Sequence, residues 1–361
     1  MTLRRIAYVV NVFPKLSETF IAGELAELRR RGVELRILSL RPPSDTLRHE
    51  VVTRAGLLEL TLDGRDAFRS LLRKFRPQLI HAHFATEPTA AAGEMAAELD
   101  VPFTFTAHGY DIYRQPPTDF SDRVARAGAV ITVSRANARH MVRNLGASSS
   151  RIHVIPCGVD VERFQPGESP AQPPHVVCVA RLVPVKNLGL LLEAFADLLA
   201  RGVLFRGILV GDGKSRAELQ AMHVRLGLEG TVQMVGAADQ TEVLAWWQRA
   251  SVAVLTSERE GMPVSLMEAA ACGVPAVAPA VGGIPELVVD GVTGLLAPAG
   301  DRPALVAALQ RLLLDRELAL RLGNAARNRA HKLFSISHQV DRLLSLWSGL
   351  IREGVQLCRS R

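Results

Sequence analysis

Short apolar runs bounded by glycine, proline and polar turn residues alternate along the chain with longer segments whose apolar positions recur at helical spacing. That alternation predicts parallel sheets covered by helices on both faces. In the first half it predicts strands at 6–12, 33–40, 79–83, 103–106, 130–133 and 152–155, with helices at 19–31, 67–75, 88–99 and 135–145. No period dominates between Arg41 and Asp66. The stretch 164–174, Phe-Gln-Pro-Gly-Glu-Ser-Pro-Ala-Gln-Pro-Pro, offers few backbone donors to a sheet or helix and reads as a linker. The alternation then restarts, with strands at 176–179, 207–210, 232–235, 252–255, 276–278 and 294–297. Helices are predicted at 187–199, 215–226, 241–249, 263–271, 302–314 and 317–333, followed by a last amphipathic stretch, 340–351.

The reading is therefore α/β, with two similar doubly wound domains, 1–165 and 166–339, joined by one linker with a cleft between them. A chain of 361 residues supports two cores. Ligands of such sheets bind beyond the carboxyl ends of the strands, so chemistry is expected on strand-to-helix loops. No apolar run reaches the roughly 18 to 20 residues needed to span a bilayer. The opening Arg4-Arg5 followed by 6–13 imitates a secretion signal, but Pro14 and Lys15 end the run and no small-residue cleavage site follows, so a first strand in a cytoplasmic protein is expected.

Composition adds little to this frame. Cys157, Cys178, Cys272 and Cys358 show no metal or disulfide spacing and read as small buried hydrophobes. The net charge of +7 favours acidic partners such as nucleotides, lipid diphosphates or an anionic membrane face. Without basic runs interleaved with aromatics, no nucleic-acid partner is expected.

The most informative stretch runs from Ser257 to Pro285. A buried strand is followed by Ser257-Glu258-Arg259-Glu260-Gly261-Met262-Pro263-Val264 and a helix, with Pro263 expected in its first turn. Such a helix start presents unpaired amides and a positive dipole end, and Gly261 permits close approach of a ligand: an anion seat. Glu260 precedes the helix and Glu268 lies about two turns into it, which suggests hydroxyl recognition beside a phosphate; carboxylates there also simply favour the dipole.

Other loops of the second half point the same way. Ala180-Arg181-Leu182-Val183-Pro184-Val185-Lys186-Asn187 places two cations five residues apart, able to clamp a diphosphate. Val210-Gly211-Asp212-Gly213 and Gly236 end two further strands in tight turns. In the first half, Ser17 or Thr19 is expected to cap a helix. His81 and His83 are expected on opposite strand faces, hence without a shared metal, and as core or capping residues. His108, before Gly109-Tyr110-Asp111, could bond a sugar hydroxyl, hold charge near a phosphate, or be an ordinary satisfied loop histidine.

Taken together, Glu260 to Glu268 as an E-x7-E motif, Arg181 to Lys186, Val210-Gly211-Asp212-Gly213 and Gly291-Val292-Thr293-Gly294-Leu295-Leu296 resemble the retaining glycosyltransferases of the GT-B fold, specifically glycosyltransferase family 4. Phe13-Pro14-Lys15-Leu16-Ser17-Glu18-Thr19-Phe20-Ile21 and His81-Ala82-His83-Phe84 look like the branch that builds bacterial exopolysaccharides of the colanic-acid type. The resemblance implies two Rossmann-like domains, with 340–361 packing back on the first. It implies Glu260 at the donor sugar's hydroxyls, Glu268 at the ribose, Arg181 and Lys186 at the diphosphate and His108 reaching the sugar from the other domain. The backbone of Gly261, Met262, Pro263 and Val264 is expected to complete the seat through its amides, with Gly211, Gly213 and Gly236 in the donor pocket. No metal or cofactor is implied. One departure is the first loop, Leu16-Ser17-Glu18, where many members carry glycines.

The expected activity is transfer of a hexose, with retention, from a nucleoside diphosphate sugar to a hydroxyl of a glycan or lipid-linked saccharide. Contact with an anionic membrane is a further expectation. A nucleotide-sugar epimerase, a phosphorylase requiring a pyridoxal lysine, and a non-catalytic scaffold of a polysaccharide assembly complex remain open alternatives.

Overall fold

A computed structural model describes residues 3–45, 47–168 and 171–359, the backbone alone from 353. The Cys358 side chain, Ser169 and Pro170 of the expected linker, and the last two residues of the stretch 340–361 lie outside the described residues. The chain divides into two compact units, residues up to Gly158 together with those from Ile336 onward, and Val159–Ser335.

The first unit is built on seven strands: β1 (Arg5–Val12), β2 (Glu34–Arg41), β3 (Thr61–Asp63), β4 (Leu79–His83), β5 (Phe103–Ala107), β6 (Ala129–Thr132) and β7 (Ile152–Val154). All pair in parallel, in the order β3-β2-β1-β4-β5-β6-β7. Strands β4, β5 and β6 are buried along their whole length, the consequence of helices on both faces of a parallel sheet. The aperiodic region 41–66 holds a five-residue helix, Glu50–Arg54, and the short edge strand β3.

The second unit carries six strands: β8 (His175–Val179), β9 (Arg206–Val210), β10 (Val232–Gly236), β11 (Ala250–Val254), β12 (Ala276–Pro279) and β13 (Gly294–Ala297). Their order is β10-β9-β8-β11-β12-β13, again parallel. The winding direction therefore reverses beside the first strand of each unit, between β1 and β4 and between β8 and β11. At such switch points the strand-to-helix loops diverge and leave a crevice at the carboxyl edge.

The unit boundaries fall at 158/159 and 335/336, where 165/166 was expected from the proline-rich composition and 339/340 from the resemblance. The residues after Val159 already belong to the second unit: Phe164 is fully buried, and the Gln248 side chain donates to the Gln165 carbonyl at 3.2 Å. Prolines removed donors from this segment, but its carbonyls and Phe164 still found partners. The helix Ile336–Arg359 returns to the first unit. There Val340, Leu343, Trp347 and Ile351 join the core beneath β1 and β2, and the Trp347 indole donates to Thr104 Oγ1 at 3.1 Å. Cys157, Cys178 and Cys272 are buried free thiols, and burial pushes the last two up to about 12. No described helix is long and apolar enough to cross a membrane.

Candidate active site

The second unit's switch point gathers the loops after β8 and β11. After β8 a single 3-10 turn, Pro184–Lys186, ends at Asn187 in the left-handed region (φ 46°). After β11, Thr256 Oγ1 donates to the carbonyls of Lys186 (2.9 Å) and Asn187 (3.0 Å). The Glu258 amide donates to the Val185 carbonyl at 2.9 Å. These bonds lock the loops together and bring Lys186 Nζ onto Glu260 Oε1. The same oxygen accepts from Ser257 Oγ at 2.6 Å. Both partners of the ion pair are largely buried, with side-chain exposures of 15% and 10%. Arg181 is exposed on the loop after β8.

Glycines set the backbone spacing around this pair. Gly211 adopts φ +137°, and a Cβ there would lie 1.9 Å from the Ala180 carbonyl oxygen; at Gly213, φ +156°, it would meet the Leu182 oxygen at 2.5 Å. Both lie directly behind the Arg181 loop. Gly236 accepts the Gly211 amide at 2.7 Å. On the other side, Gly282 (φ +53°) would place a Cβ 1.8 Å from the Glu260 carbonyl oxygen, so only glycine lets that chain pass so close.

The helix after this loop is Val264–Ala271, and Pro263 stands at its N-cap with an extended ψ of 108°, one residue earlier than the first-turn position expected from the sequence. Proline has no N–H to contribute and here also no side chain to cap the helix. The amides of Val264 and Ser265, which no intrahelical carbonyl can reach, are thus left for a ligand. Gly261 and Met262 precede them in the same loop, Met262 buried.

Glu268, only the fifth residue of the helix, is 4% exposed. Burial pushes its carboxyl up to about 7, opposed by the neighbouring Trp247 and Gln240 side chains and by Arg163. The Trp247 indole N–H is buried without a well-formed hydrogen bond, so its influence is one of proximity. The two carboxylates of the E-x7-E motif thus occupy different environments, one ion-paired in a loop and one in the helix among Trp247, Gln240 and Cys272.

In the first unit the side chains at the β4 and β5 carboxyl ends form a buried polar cluster. His81 and His83 are two residues apart and therefore share one strand face, with ring centroids 5.0 Å apart; the expectation of opposite faces was wrong. With Glu24 they bring possible ligand atoms within 4.8 Å of one another. The three already hold other groups, however. His81 lies between Thr104 Oγ1 (2.8 Å) and Thr106 Oγ1 (3.1 Å), and His83 between Glu24 Oε1 (3.2 Å) and His108 Nε2 (3.0 Å). Burial, with the neighbouring His83, holds His108 well below the usual imidazole range.

The His108 amide donates to Asp111 Oδ1 at 3.0 Å, and the Ala85 amide to Asp111 Oδ2 at 2.8 Å, tying the ends of β4 and β5. Burial raises Asp111 to about 6. Asn137 donates to the His108 carbonyl. Neither Ser17 nor Thr19 caps the first helix: Glu18 is the N-cap residue, without a side-chain bond to the helix, and its carboxylate takes Lys15 Nζ.

Sequence reasoning thus located Lys186, Glu260, Glu268 and His108 on the loops or helix expected of them. It missed Ser257, Asp111 and Glu24, although Asp111 stood three residues from His108.

Residues 160–329 match the family described as glycosyl transferases group 1, and 17–163 match Glycosyltransferase Family 4. The amylovoran biosynthesis glycosyltransferase AmsK of Erwinia amylovora is 34% identical over 57% of this chain and 53% of its own. The provisionally assigned colanic acid biosynthesis glycosyltransferase WcaL of Escherichia coli K12 is 28% identical over 87% of this chain and 92% of its own. A D-inositol 3-phosphate glycosyltransferase of Frankia alni is 31% identical over 70% and 69%, respectively. Among solved structures, Anabaena HepE in complex with UDP superposes with a TM-score of 0.80 at 18% identity, covering 96% of this chain and all of that one.

Proposed function

Because the chain belongs to the glycosyltransferases of group 1, family 4, we propose that it transfers a hexose, with retention, from a nucleoside diphosphate sugar to a hydroxyl of a glycan or lipid-linked saccharide in exopolysaccharide assembly. The observation that carries the reading is the Lys186–Glu260 pair at the β8/β11 switch point, beside uncapped helix amides. Lys186 and Arg181 neutralise the diphosphate, and the amides after Gly261 bind its oxygens. Glu260, released in part from Lys186 when the anion arrives, accepts hydrogen bonds from sugar hydroxyls. Glu268 takes the ribose.

In the transfer, the bond from the anomeric carbon to the diphosphate oxygen breaks and a bond to the acceptor oxygen forms on the same face. The acceptor's proton passes to the departing diphosphate, so no separate enzymic base is assigned. Cations and amides supply the charge stabilisation that a metal would otherwise provide, and no cofactor is assigned. The names of AmsK and WcaL support an exopolysaccharide acceptor. The net charge of +7 supports peripheral contact with an anionic membrane face.

A panel of nucleotide sugars tested by thermal shift should contain at least one that raises the melting temperature, since saturation at about 100 times Kd stabilises the folded state by about 2.7 kcal/mol. Proton NMR of the product from an α-linked donor should show an α linkage. A β-linked product contradicts retention, and a panel without binders contradicts the donor class.

A further inference from the structure

We propose that the exposed face of the helix Arg135–Leu145, in the first unit, is the surface that docks on an anionic lipid bilayer, with Arg139 and Arg143 taking lipid phosphates. The inference deepens the membrane contact named above by giving it a place in the fold. It rests on that contact and is independent of the donor site.

The distribution of charge carries it. From Arg123 to Val159 the chain holds six arginines and no lysine, aspartate or glutamate, so these 37 residues bring six of the seven net positive charges. Over the rest of the chain the two signs nearly cancel. The segment builds one end of the first sheet: β6, the helix Arg135–Leu145, a 3-10 turn at Ser149–Arg151 and the edge strand β7.

Helical geometry gathers part of this charge into a stripe. Arg135, Arg139 and Arg143 follow one another at four-residue spacing and so share one side of the helix, whereas Asn137 and Met141 are buried on the other. Arg139 and Arg143 are exposed and make no hydrogen bond or ion pair among the described residues. With Ala138, Val142, Ser149 and Ile152 they line an open cavity of about 240 Å³ between the helix and the start of β7. A phosphate entering it meets two guanidinium groups, whose forked donors suit that ion. Val142, 39% exposed beside them, offers an apolar side chain to the acyl boundary beneath the headgroups.

The densest basic run of the unit is not available in this way. Arg29 donates to the carbonyls of Ala55 and Gly56, Arg30 and Arg31 pair with Glu27, and Arg31 also pairs with Asp341. Around the helix Arg135–Leu145, by contrast, β6 and β7 carry no carboxylate, and the turn Tyr110–Arg114 carries Asp111 alone, fully buried. Asp119 and Asp122 lie at the start of the preceding helix, where Arg123 already pairs with Asp119.

The same pattern disfavours other occupants. A second copy docking about a two-fold axis would set this arginine stripe against its own like. Nucleic acid would find no Phe, Tyr or Trp among the 37 residues on which to stack its bases. Anionic headgroups need only the cations and the shallow apolar contact that the face offers.

The test is co-sedimentation of the full-length protein with vesicles of phosphatidylcholine alone and of equal parts phosphatidylcholine and phosphatidylglycerol. Wild type should bind the mixed vesicles, spare the neutral ones, and be released as salt rises from about 0.1 to about 1 M, which shortens the Debye length from about 10 to about 3 Å. Arg139→Gln/Arg143→Gln should weaken binding about 10- to 30-fold with an unchanged melting temperature. Arg73→Gln/Lys74→Gln removes the same charge from an exposed site on another helix of the unit and should weaken binding less than about 3-fold. Equal losses in the two variants, or none in the first, overturn the assignment of the face while the membrane contact stands. Wild type that ignores the mixed vesicles overturns both and leaves glycosyl transfer, read by nucleoside diphosphate release, untouched. Tighter binding to a single-stranded DNA oligonucleotide than to the vesicles, or a dimer that the first variant dissociates, overturns the lipid as occupant.

Discussion

Glu268 offers the most quantitative prediction because a buried carboxyl raised to about 7 must show itself in the pH dependence of stability. Between its ordinary value of 4.5 and about 7 the folded state binds a proton that the unfolded chain has released. Stability contributed by the protonated form is therefore fully present below pH 4.5 and is lost as pH rises through about 7. That interval, at about 1.4 kcal/mol per pH unit, sets the loss at roughly 3 kcal/mol. Glu268→Gln has no proton to lose, so its stability relative to wild type should improve by up to roughly 3 kcal/mol from pH 4.5 to pH 8, most of it between pH 5 and 7. Equilibrium denaturation followed by fluorescence suits this measurement, since two of the three tryptophans, Trp246 and Trp247, belong to the second unit. A difference between variant and wild type that is independent of pH, or that moves in favour of wild type as pH rises, refutes the reasoning.

Gly282→Ala would drive a methyl group to 1.8 Å from the Glu260 carbonyl oxygen and should cost about 1–3 kcal/mol in denaturation experiments while lowering turnover through displacement of Glu260. Trp347→Ala, at a fully buried position of the returning helix, should destabilise by about 3–5 kcal/mol, measured as a lower denaturation midpoint; a cost below about 1 kcal/mol would deny the helix its anchoring role. Glu268→Gln should also weaken nucleotide affinity about tenfold by calorimetry at pH 8, above the value of about 7, from loss of a charged acceptor for the ribose, whereas unchanged affinity removes that assignment.

The doubly wound architecture was legible because parallel strands buried on both faces read as uninterrupted apolar runs, as in 79–83 and 252–255. The second-unit loops were legible because Lys186 and Glu260 each follow such a strand within a few residues, so topology alone carries them to the same sheet edge. The polar cluster of the first unit was not. Glu24 meets Tyr8, His83 and Gln339 across 16, 59 and 315 residues, and no local period reports such pairings. The error over His81 and His83 was one of geometry, because alternation places neighbours, and not next-neighbours, on opposite faces. Composition also misled at 164–174: prolines marked the absence of regular structure, whereas the unit boundary was set by where the chain's packing changes sides, at Gly158.

The proposed role of the Lys186–Glu260 pair in glycosyl transfer from a nucleoside diphosphate sugar is open to assay by nucleoside diphosphate release from the purified protein, across a panel of nucleotide sugars with a lipid-linked saccharide acceptor. Wild type should release diphosphate from at least one donor, and Lys186→Ala and Glu260→Ala should each lower kcat about 100- to 1,000-fold while remaining folded. Release that is absent with every donor, or undiminished in both variants, contradicts the claim.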